Sequence, residues 1–167
     1  EALGLQRGQY VLKVNNRKTM DAALLAAGID PAQDQERRLV VLRAMDKLDL
    51  LGIDGVRALL GKGRKDESGD FTKGAELEPK AIDTIIAFLS ARSGNGNAET
   101  ISNLENVILL DPANDGLAEL RAIAGLSMQS GYGQDRVLID PSVVRGLEYY
   151  TGAVFECELL IPTTDED

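Results

Sequence analysis

The chain has 167 residues, of which 44% are hydrophobic and 27% charged, a composition typical of one globular domain with its own core. Its net charge of −9 argues against a protein whose whole surface attracts nucleic acid, although it allows a local basic patch. The lack of histidine excludes His-dependent triads, and the single cysteine, Cys157, excludes an internal disulfide framework and a cysteine-based zinc site.

The first predicted elements are a strand and a short helix. Residues 10–15 are rich in β-branched side chains and alternate, which predicts a strand. A helix is predicted over residues 19–27, because Gly28 is typical of a helix end.

A longer helix is predicted to follow. Asp30 is a suitable cap and Pro31 a suitable first residue, so the helix is expected to begin there and run to about residue 51. Gly52 is expected to stop it, and residues 54–60 are predicted to form a brief second helix.

The middle of the chain alternates between breaks and helices. Residues 61–75 are polar, contain four glycines and lack a hydrophobic period, which predicts a mobile loop. Pro79 is expected to open the next helix, whose apolar stripe consists of Ile82, Ile85, Ile86 and Leu89.

Two further helices are predicted before the chain returns to strands. Asn97 and Asn114 are expected to cap them, with a break at Asp111 and Pro112 between the two and an end at Gly131. Strands are then predicted over residues 136–139 and 154–161, with Phe155, Cys157, Leu159 and Ile161 on one face of the second. The layout predicts an α+β fold in which a mainly helical insertion interrupts a sheet.

The segment between these last strands is the candidate for chemistry. Arg145 lies beside Gly146, so its planar guanidinium could meet a carboxylate or phosphate that approaches closely. Tyr149 and Tyr150 offer flat faces and hydroxyl groups to a heteroaromatic ligand. The same residue types also fit an ordinary surface strand, in which the arginine only meets solvent or a carboxylate.

The spacing adds a structural expectation. In one unbroken strand, Tyr149 and Tyr150 would face opposite sides of the sheet. If both line one pocket, the backbone must turn or bulge between Gly146 and Glu148.

The run Arg-Gly-Leu-Glu-Tyr-Tyr-Thr-Gly-Ala-Val-Phe-Glu, which begins at Arg145, resembles the first histidine-binding motif of histidyl-tRNA synthetases, a class II aminoacyl-tRNA synthetase family. Residues 10–17 are similar to the family strand that leads into its insertion, and residues 46–49 and 55–57 are similar to segments of that insertion. The one departure within the motif is Glu148, where aspartate is more usual.

The resemblance implies roles for four residues. Arg145 would contact the histidine carboxylate and the ATP α-phosphate region, and would be the catalytic residue. Gly146, Tyr149 and Tyr150 would line the histidine pocket. No metal ligands are predicted in this chain.

The resemblance also implies a domain organisation. Residues 1–27 and 132–167 would be parts of a catalytic domain with an incomplete antiparallel sheet, and residues 28–131 a helical insertion domain. The chain lacks an initiator methionine and the family's motifs 1, 2 and 3, so we expect a part of a longer protein that is inactive alone and binds no cofactor.

The full enzyme would join L-histidine to tRNA(His) with ATP and Mg²⁺, as a cytoplasmic homodimer. No apolar run is long enough to cross a membrane, and no signal peptide is visible. In this family the insertion resembles a clamp over the tRNA acceptor arm. Lys62, Arg64 and Lys65 are the candidate phosphate contacts, with a solvated mixed-charge loop as the alternative.

Two other functions fit parts of the sequence. The regulatory subunit of ATP phosphoribosyltransferase resembles the synthetase catalytic domain, but it generally lacks a large helical insertion. A stand-alone helical RNA-binding module would need natural termini near both ends of the chain. Both alternatives are therefore ranked below the synthetase.

Overall fold

The computed structural model describes residues 4–108, 115–146 and 149–161. These ranges contain six helices and five strands, which confirms the predicted α+β class. In chain order they are β1 (Tyr10–Asn16), α1 (Arg17–Ala26), α2 (Gln35–Met45), α3 (Leu48–Leu60), β2 (Gly63–Lys65), β3 (Phe71–Lys73), α4 (Pro79–Leu89), α5 (Asn97–Val107), α6 (Asp115–Gln129), β4 (Val137–Ile139) and β5 (Ala153–Leu159).

The main sheet has three strands in the order β4-β1-β5, with β1 in the centre. Strand β5 runs antiparallel to β1, but β4 runs parallel to it, with Val14 opposite Ile139. The expected antiparallel sheet is therefore corrected for the β1–β4 pair, and the sheet is mixed. A parallel pair requires a long crossover connection, and the helices between β1 and β4 supply one.

One hydrophobic core joins the sheet to the helices. Val14 and Ile139 are fully buried on the sheet, and they belong to the same buried cluster as Met20 and Leu24 of α1. Gly28, with φ of 80°, follows the end of α1, as predicted. The predicted stripe of α4 is also confirmed, since its four apolar side chains are all buried.

The second predicted helix begins later than expected and is divided at Asp46. Asp30 caps a turn instead, because its Oδ1 accepts from the Ala32 N–H at 2.9 Å, and the helix begins after Asp34. The chain then breaks at Asp46. Helix α3 is itself interrupted at Gly52, whose φ of 64° and ψ of −179° are not helical, so one helix stops there and another follows, as predicted.

The expected mobile loop over residues 61–75 is also wrong, because β2 and β3 form an antiparallel hairpin. The side chain of Asp66 closes its turn by accepting from the N–H of Asp70 at 3.0 Å and from the hydroxyl of Ser68 at 2.6 Å. The N–H of Ala75 donates to the carbonyl of Leu59 at 2.8 Å, which ties the hairpin to the end of α3.

Asn97 does not cap α5 as expected. Gly96 occupies the cap position, and the Asn97 side chain instead pairs with β4, donating to the Val137 carbonyl and accepting from the Ile139 N–H, both at 2.9 Å. The predicted break at Asp111 and Pro112 and the predicted cap Asn114 lie outside the described residues.

Candidate functional site

The sheet order determines where the candidate segment lies. Strand β4 leaves the sheet at the C-terminal end of β1, because the two strands are parallel, and β5 starts at that same end, where Ala153 faces Asn16. The connection from Asp140 to Gly152 must therefore cross over the end of β1. We call this connection the arch.

Asn15 and Arg17, at the end of β1, hold the arch through its backbone carbonyls. The Asn15 amide donates to the carbonyls of Pro141 and Val143, both at 3.0 Å, and its oxygen accepts from the Asn16 N–H at 2.8 Å. The Arg17 N–H donates to the Gly152 carbonyl at 2.8 Å. Sequence reasoning gave no role to these residues, although two asparagines and an arginine directly after a strand are an unusual polar run.

Arg145 lies on the outer side of the arch. Its Nε donates to the Glu156 carboxylate at 2.7 Å, and its side chain is 68% exposed while that of Glu156 is 24% exposed. Val143 and Val144, which precede it, are buried in the core. The guanidinium is thus held at its base by a carboxylate on β5 and open to solvent beyond it.

Gly146 turns the arch back, as the spacing predicted. Its φ is 71°, a left-handed conformation that favours glycine, and the Tyr149 N–H donates to the Gly146 carbonyl at 3.2 Å. A Cβ at Gly146 would collide with the ring carbon Cδ2 of Tyr150. The tyrosine ring therefore packs directly on the glycine backbone. Leu147 and Glu148 lie outside the described residues.

The tyrosine pair forms an edge-to-face contact. The rings of Tyr149 and Tyr150 have centroids 5.4 Å apart and planes at 86°. Tyr149 is 84% exposed and Tyr150 49% exposed. The structure therefore brings Gly146 and both tyrosines together and leaves much of their aromatic surface exposed.

A charged cluster fixes the start of the arch. Asp140 is 2% exposed and accepts from the Ser142 N–H and hydroxyl, at 3.0 and 2.7 Å, while Arg92 approaches to 3.3 Å. Lys13 lies 2.8 Å from Glu158 and 3.8 Å from Asp140. Burial alone would lower the pKa of Lys13, but the hydrogen bond with Glu158 and the charge of Asp140 outweigh it and raise that pKa.

The three candidate RNA contacts lie elsewhere, on and before the hairpin. Lys62 and Lys65 are exposed and Arg64 is half-buried. None of the ion pairs found among the described residues includes them, whereas Arg57 pairs with Asp83 at 2.6 Å. The hairpin forms a sheet separate from the one that carries the arch.

Comparison with known proteins decides the family. The family model described as histidyl-tRNA synthetase matches residues 1–158. The chain belongs to the histidyl-tRNA synthetase family. This membership agrees with the resemblance noted around Arg145.

Relatives in this family are close in sequence. The chain is 56% identical over 167 residues to a protein of Caulobacter vibrioides named histidine–tRNA ligase, covering 99% of this chain and 33% of that protein. It is 54% identical over 168 residues to a protein of the same name from Brucella ovis, covering 100% of this chain and 33% of the relative. The chain thus spans about a third of the length of these relatives. Neither the regulatory-subunit alternative nor the stand-alone module is favoured by these matches.

A solved histidyl-tRNA synthetase structure from Nostoc sp. PCC 7120 shares the fold. The TM-score is 0.71 at 23% sequence identity, covering 94% of this chain and 33% of that one. Among the described residues, no helix is both long and apolar enough for a membrane span.

Proposed function

We propose that this histidyl-tRNA synthetase chain is part of an enzyme that activates L-histidine with ATP and transfers it to the 3′ end of tRNA(His). The observation that carries the proposal is the arch, in which Arg145 directly precedes the Gly146 turn and the Tyr150 ring of the tyrosine pair packs on that turn. Membership of the family supports the same reaction.

The proposed roles follow from the chemistry of these side chains. A guanidinium stays protonated at neutral pH, so Arg145 can neutralise the histidine carboxylate and the negative charge that develops at the α-phosphate. The tyrosines offer ring faces for the imidazole and hydroxyl groups for its nitrogens. Gly146, having no side chain, lets the Tyr150 ring approach the backbone.

ATP with Mg²⁺ is the cofactor that the proposed reaction requires. The residue of this chain that suits the nucleotide is Arg145, because a fixed cation with a planar donor set matches a phosphate. In the ranges that the structure describes, no group of three or more histidine, cysteine or carboxylate side chains could hold a metal ion.

The test is histidine-dependent ATP–pyrophosphate exchange by the full-length enzyme that contains this chain. Arg145→Gln is expected to lower kcat/KM for histidine by about 100-fold or more, as for the loss of other charge-stabilising donors. Arg43→Gln, which removes an exposed arginine of α2, is the matched control and should leave the rate unchanged. Exchange that depends on another amino acid, or an unaffected Arg145→Gln enzyme, would contradict the proposal.

We further propose that residues 28–131 are the insertion domain and that Lys62, Arg64 and Lys65 meet phosphates of the tRNA acceptor arm. This proposal is supported by the lack of any ion pair between these three side chains and a carboxylate among the described residues. Their charges are therefore available to an external anion. Replacing all three by glutamine in the full-length enzyme should weaken tRNA binding and flatten its salt dependence.

The control for this experiment neutralises three cations that already have partners within the chain. Arg7, Arg57 and Arg121 pair with Asp135, Asp83 and Glu105. Their triple glutamine variant should retain most of the salt slope. Equal slopes for both triple variants would count against the hairpin as the contact.

We also propose that the full-length enzyme is a cytoplasmic homodimer, as the resemblance to histidyl-tRNA synthetases implies. Light scattering of the full-length enzyme tests the dimer, and cell fractionation tests the location. A monomer at micromolar concentration, or recovery outside the cytoplasm, would contradict these two points.

A further inference from the structure

Arg17 is a buried cation whose partners are backbone carbonyls. It is 2% exposed, and its NH2 group donates to the carbonyls of Arg145 at 3.2 Å and Gly146 at 2.6 Å. Its NH1 group lies 3.7 Å from the sulfur of Met20. The ion pairs of the described residues do not include Arg17, so the guanidinium is committed to the arch.

Burial of this positive charge costs free energy unless the two carbonyl groups stabilise it. A buried arginine is usually paired with a carboxylate, because an unpaired charge loses its hydration. The carboxylate that acts on Arg17 through space is Asp21, but Asp21 pairs directly with Arg38 at 2.8 Å. Burial, and after it the charge of Arg38, lower the pKa of Arg17, although a guanidinium remains charged at neutral pH. Its Nε has no partner among the described residues.

The two carbonyls belong to the residues that set the geometry of the arch. Gly146 is in the left-handed region, and its carbonyl accepts from Arg17 and also from the Tyr149 N–H at 3.2 Å. The carbonyl oxygen of Gly146 thus links the buried Arg17 guanidinium to the backbone of the tyrosine pair. The adjacent carbonyl, on Arg145, belongs to the residue whose side chain meets Glu156 on the other side.

We propose that Arg17 is a positioning residue for the histidine site: by fixing the carbonyls of Arg145 and Gly146, it aims the Arg145 guanidinium and the tyrosine pair at the substrate. The inference rests on the proposed function of the arch. It assigns Arg17 no contact with substrate.

The test compares variants of the full-length enzyme in histidine-dependent ATP–pyrophosphate exchange and in thermal unfolding. Arg17→Met keeps an apolar stem and removes all donors, and is expected to lower kcat/KM for histidine about 100-fold, the effect of a misplacement of about 1 Å. Arg17→Lys restores a donor of the same charge and should recover part of that loss. If Arg17→Met does not fold, Arg17→Lys carries the test, with an expected loss of about 10-fold.

Arg136→Met is the matched control. Arg136 is a half-buried arginine whose NH2 donates to the Tyr10 hydroxyl at 2.8 Å, at the opposite end of β1 from the arch. It should lower the melting temperature without changing kcat/KM for histidine. A folded Arg17 variant with unchanged kcat/KM, or an equal loss in Arg136→Met, would overturn the inference.

A double-mutant cycle separates positioning from general destabilisation. If Arg17 acts through Arg145, then Arg17→Met should cost less than about 10-fold when it is made in an Arg145→Lys enzyme. A second full loss of about 100-fold would show that Arg17 acts independently and would overturn the proposal. Wild-type enzyme without histidine-dependent exchange would instead refute the proposed function itself.

Discussion

Gly146 combines a backbone conformation and a steric contact that together favour glycine. Its φ of 71° costs a residue with a Cβ about 1–2 kcal/mol, and the Tyr150 ring occupies the space that a Cβ would need. Gly146→Ala should therefore destabilise the protein and displace Tyr150. Denaturant unfolding would measure the first effect, and the KM for histidine of the full-length enzyme the second.

Gly131 provides the control for that substitution. Its φ is 80°, but no atom lies within 4 Å of a Cβ built there. Gly131→Ala should show the conformational cost alone and leave the KM for histidine unchanged. If Gly146→Ala were no more harmful than Gly131→Ala, the tyrosine contact would have no energetic weight.

Asn15 is the second residue whose loss should be expensive. It is fully buried, and Asn15→Ala would remove the donor of two arch carbonyls and the acceptor of the Asn16 N–H. Leaving such buried groups unpaired costs about 1–3 kcal/mol each, so we expect a loss of several kcal/mol in unfolding free energy, on the order of 3. Asn103→Ala removes one bond of the same kind, to the Ala91 carbonyl at 3.0 Å, and should cost less. Equal losses would contradict the role of Asn15 as a hub.

At this scale the sequence reveals the residues of the arch but not what holds them. Arg145, Gly146, Tyr149 and Tyr150 can be found because they are contiguous and match a motif. The contacts of Asn15 and Arg17 cannot, because their partners lie 126 to 129 positions away and depend on the strand order.

At the scale of elements, α6 is attached to the end of β1 through Glu119. Its carboxylate accepts from Lys18 and from the Asn16 amide, both at 2.5 Å. The hydrogen bond from Lys18, and to a smaller extent that from Asn16, lower the pKa of Glu119. The hydrogen bond between Lys18 and Glu119 also raises the pKa of Lys18. The two shifts have opposite directions, as a mutual ion pair requires.

A pH dependence of stability follows from this attachment. A carboxyl group whose pKa is lower in the folded than in the unfolded state stabilises the protein above the unfolded pKa, and that contribution is lost as the pH falls through the folded pKa. Glu119→Gln should therefore flatten the acid limb of unfolding free energy against pH. Glu67→Gln removes an exposed charge of the hairpin turn and is the control. Identical acid limbs in wild type and Glu119→Gln would refute the argument.

The elements differ in how far the sequence predicts them. The stripe of α4 and the end of α1 at Gly28 follow from local signals, namely apolar period and a glycine. The hairpin does not, because strands of three residues are too short for a pattern, and its order comes from the Asp66 turn and from bonds to α3. Asn97 is likewise a residue type that favours helix caps, but its side chain makes two hydrogen bonds with β4 instead.

At the scale of the whole molecule, one core extends across the proposed domain limits. Met20 and Leu24, before residue 28, are fully buried in the same cluster as Leu120 and Ile85 of the helical part. Residues 28–131 made alone would expose the surface that α1 covers. We expect this segment to show a helical far-UV signal, to bind a hydrophobic dye and to unfold without a sharp transition. A sharp cooperative unfolding transition would show that the insertion folds independently.

The parallel pairing of β1 with β4 has a consequence for synthesis on the ribosome. Asn15 leaves the ribosome long before Pro141, from which it is separated by 126 positions. At a synthesis rate of about 5–20 residues per second, roughly 6–25 s pass between the synthesis of β1 and that of its partner strands. Its unpaired edges are open to wrong partners during that interval, while local contacts let the helices form early. Because the sheet can close only through pairings between residues distant in sequence, refolding of the complete chain should also contain a slow step. Substitutions that speed helix formation should leave the rate of that step unchanged.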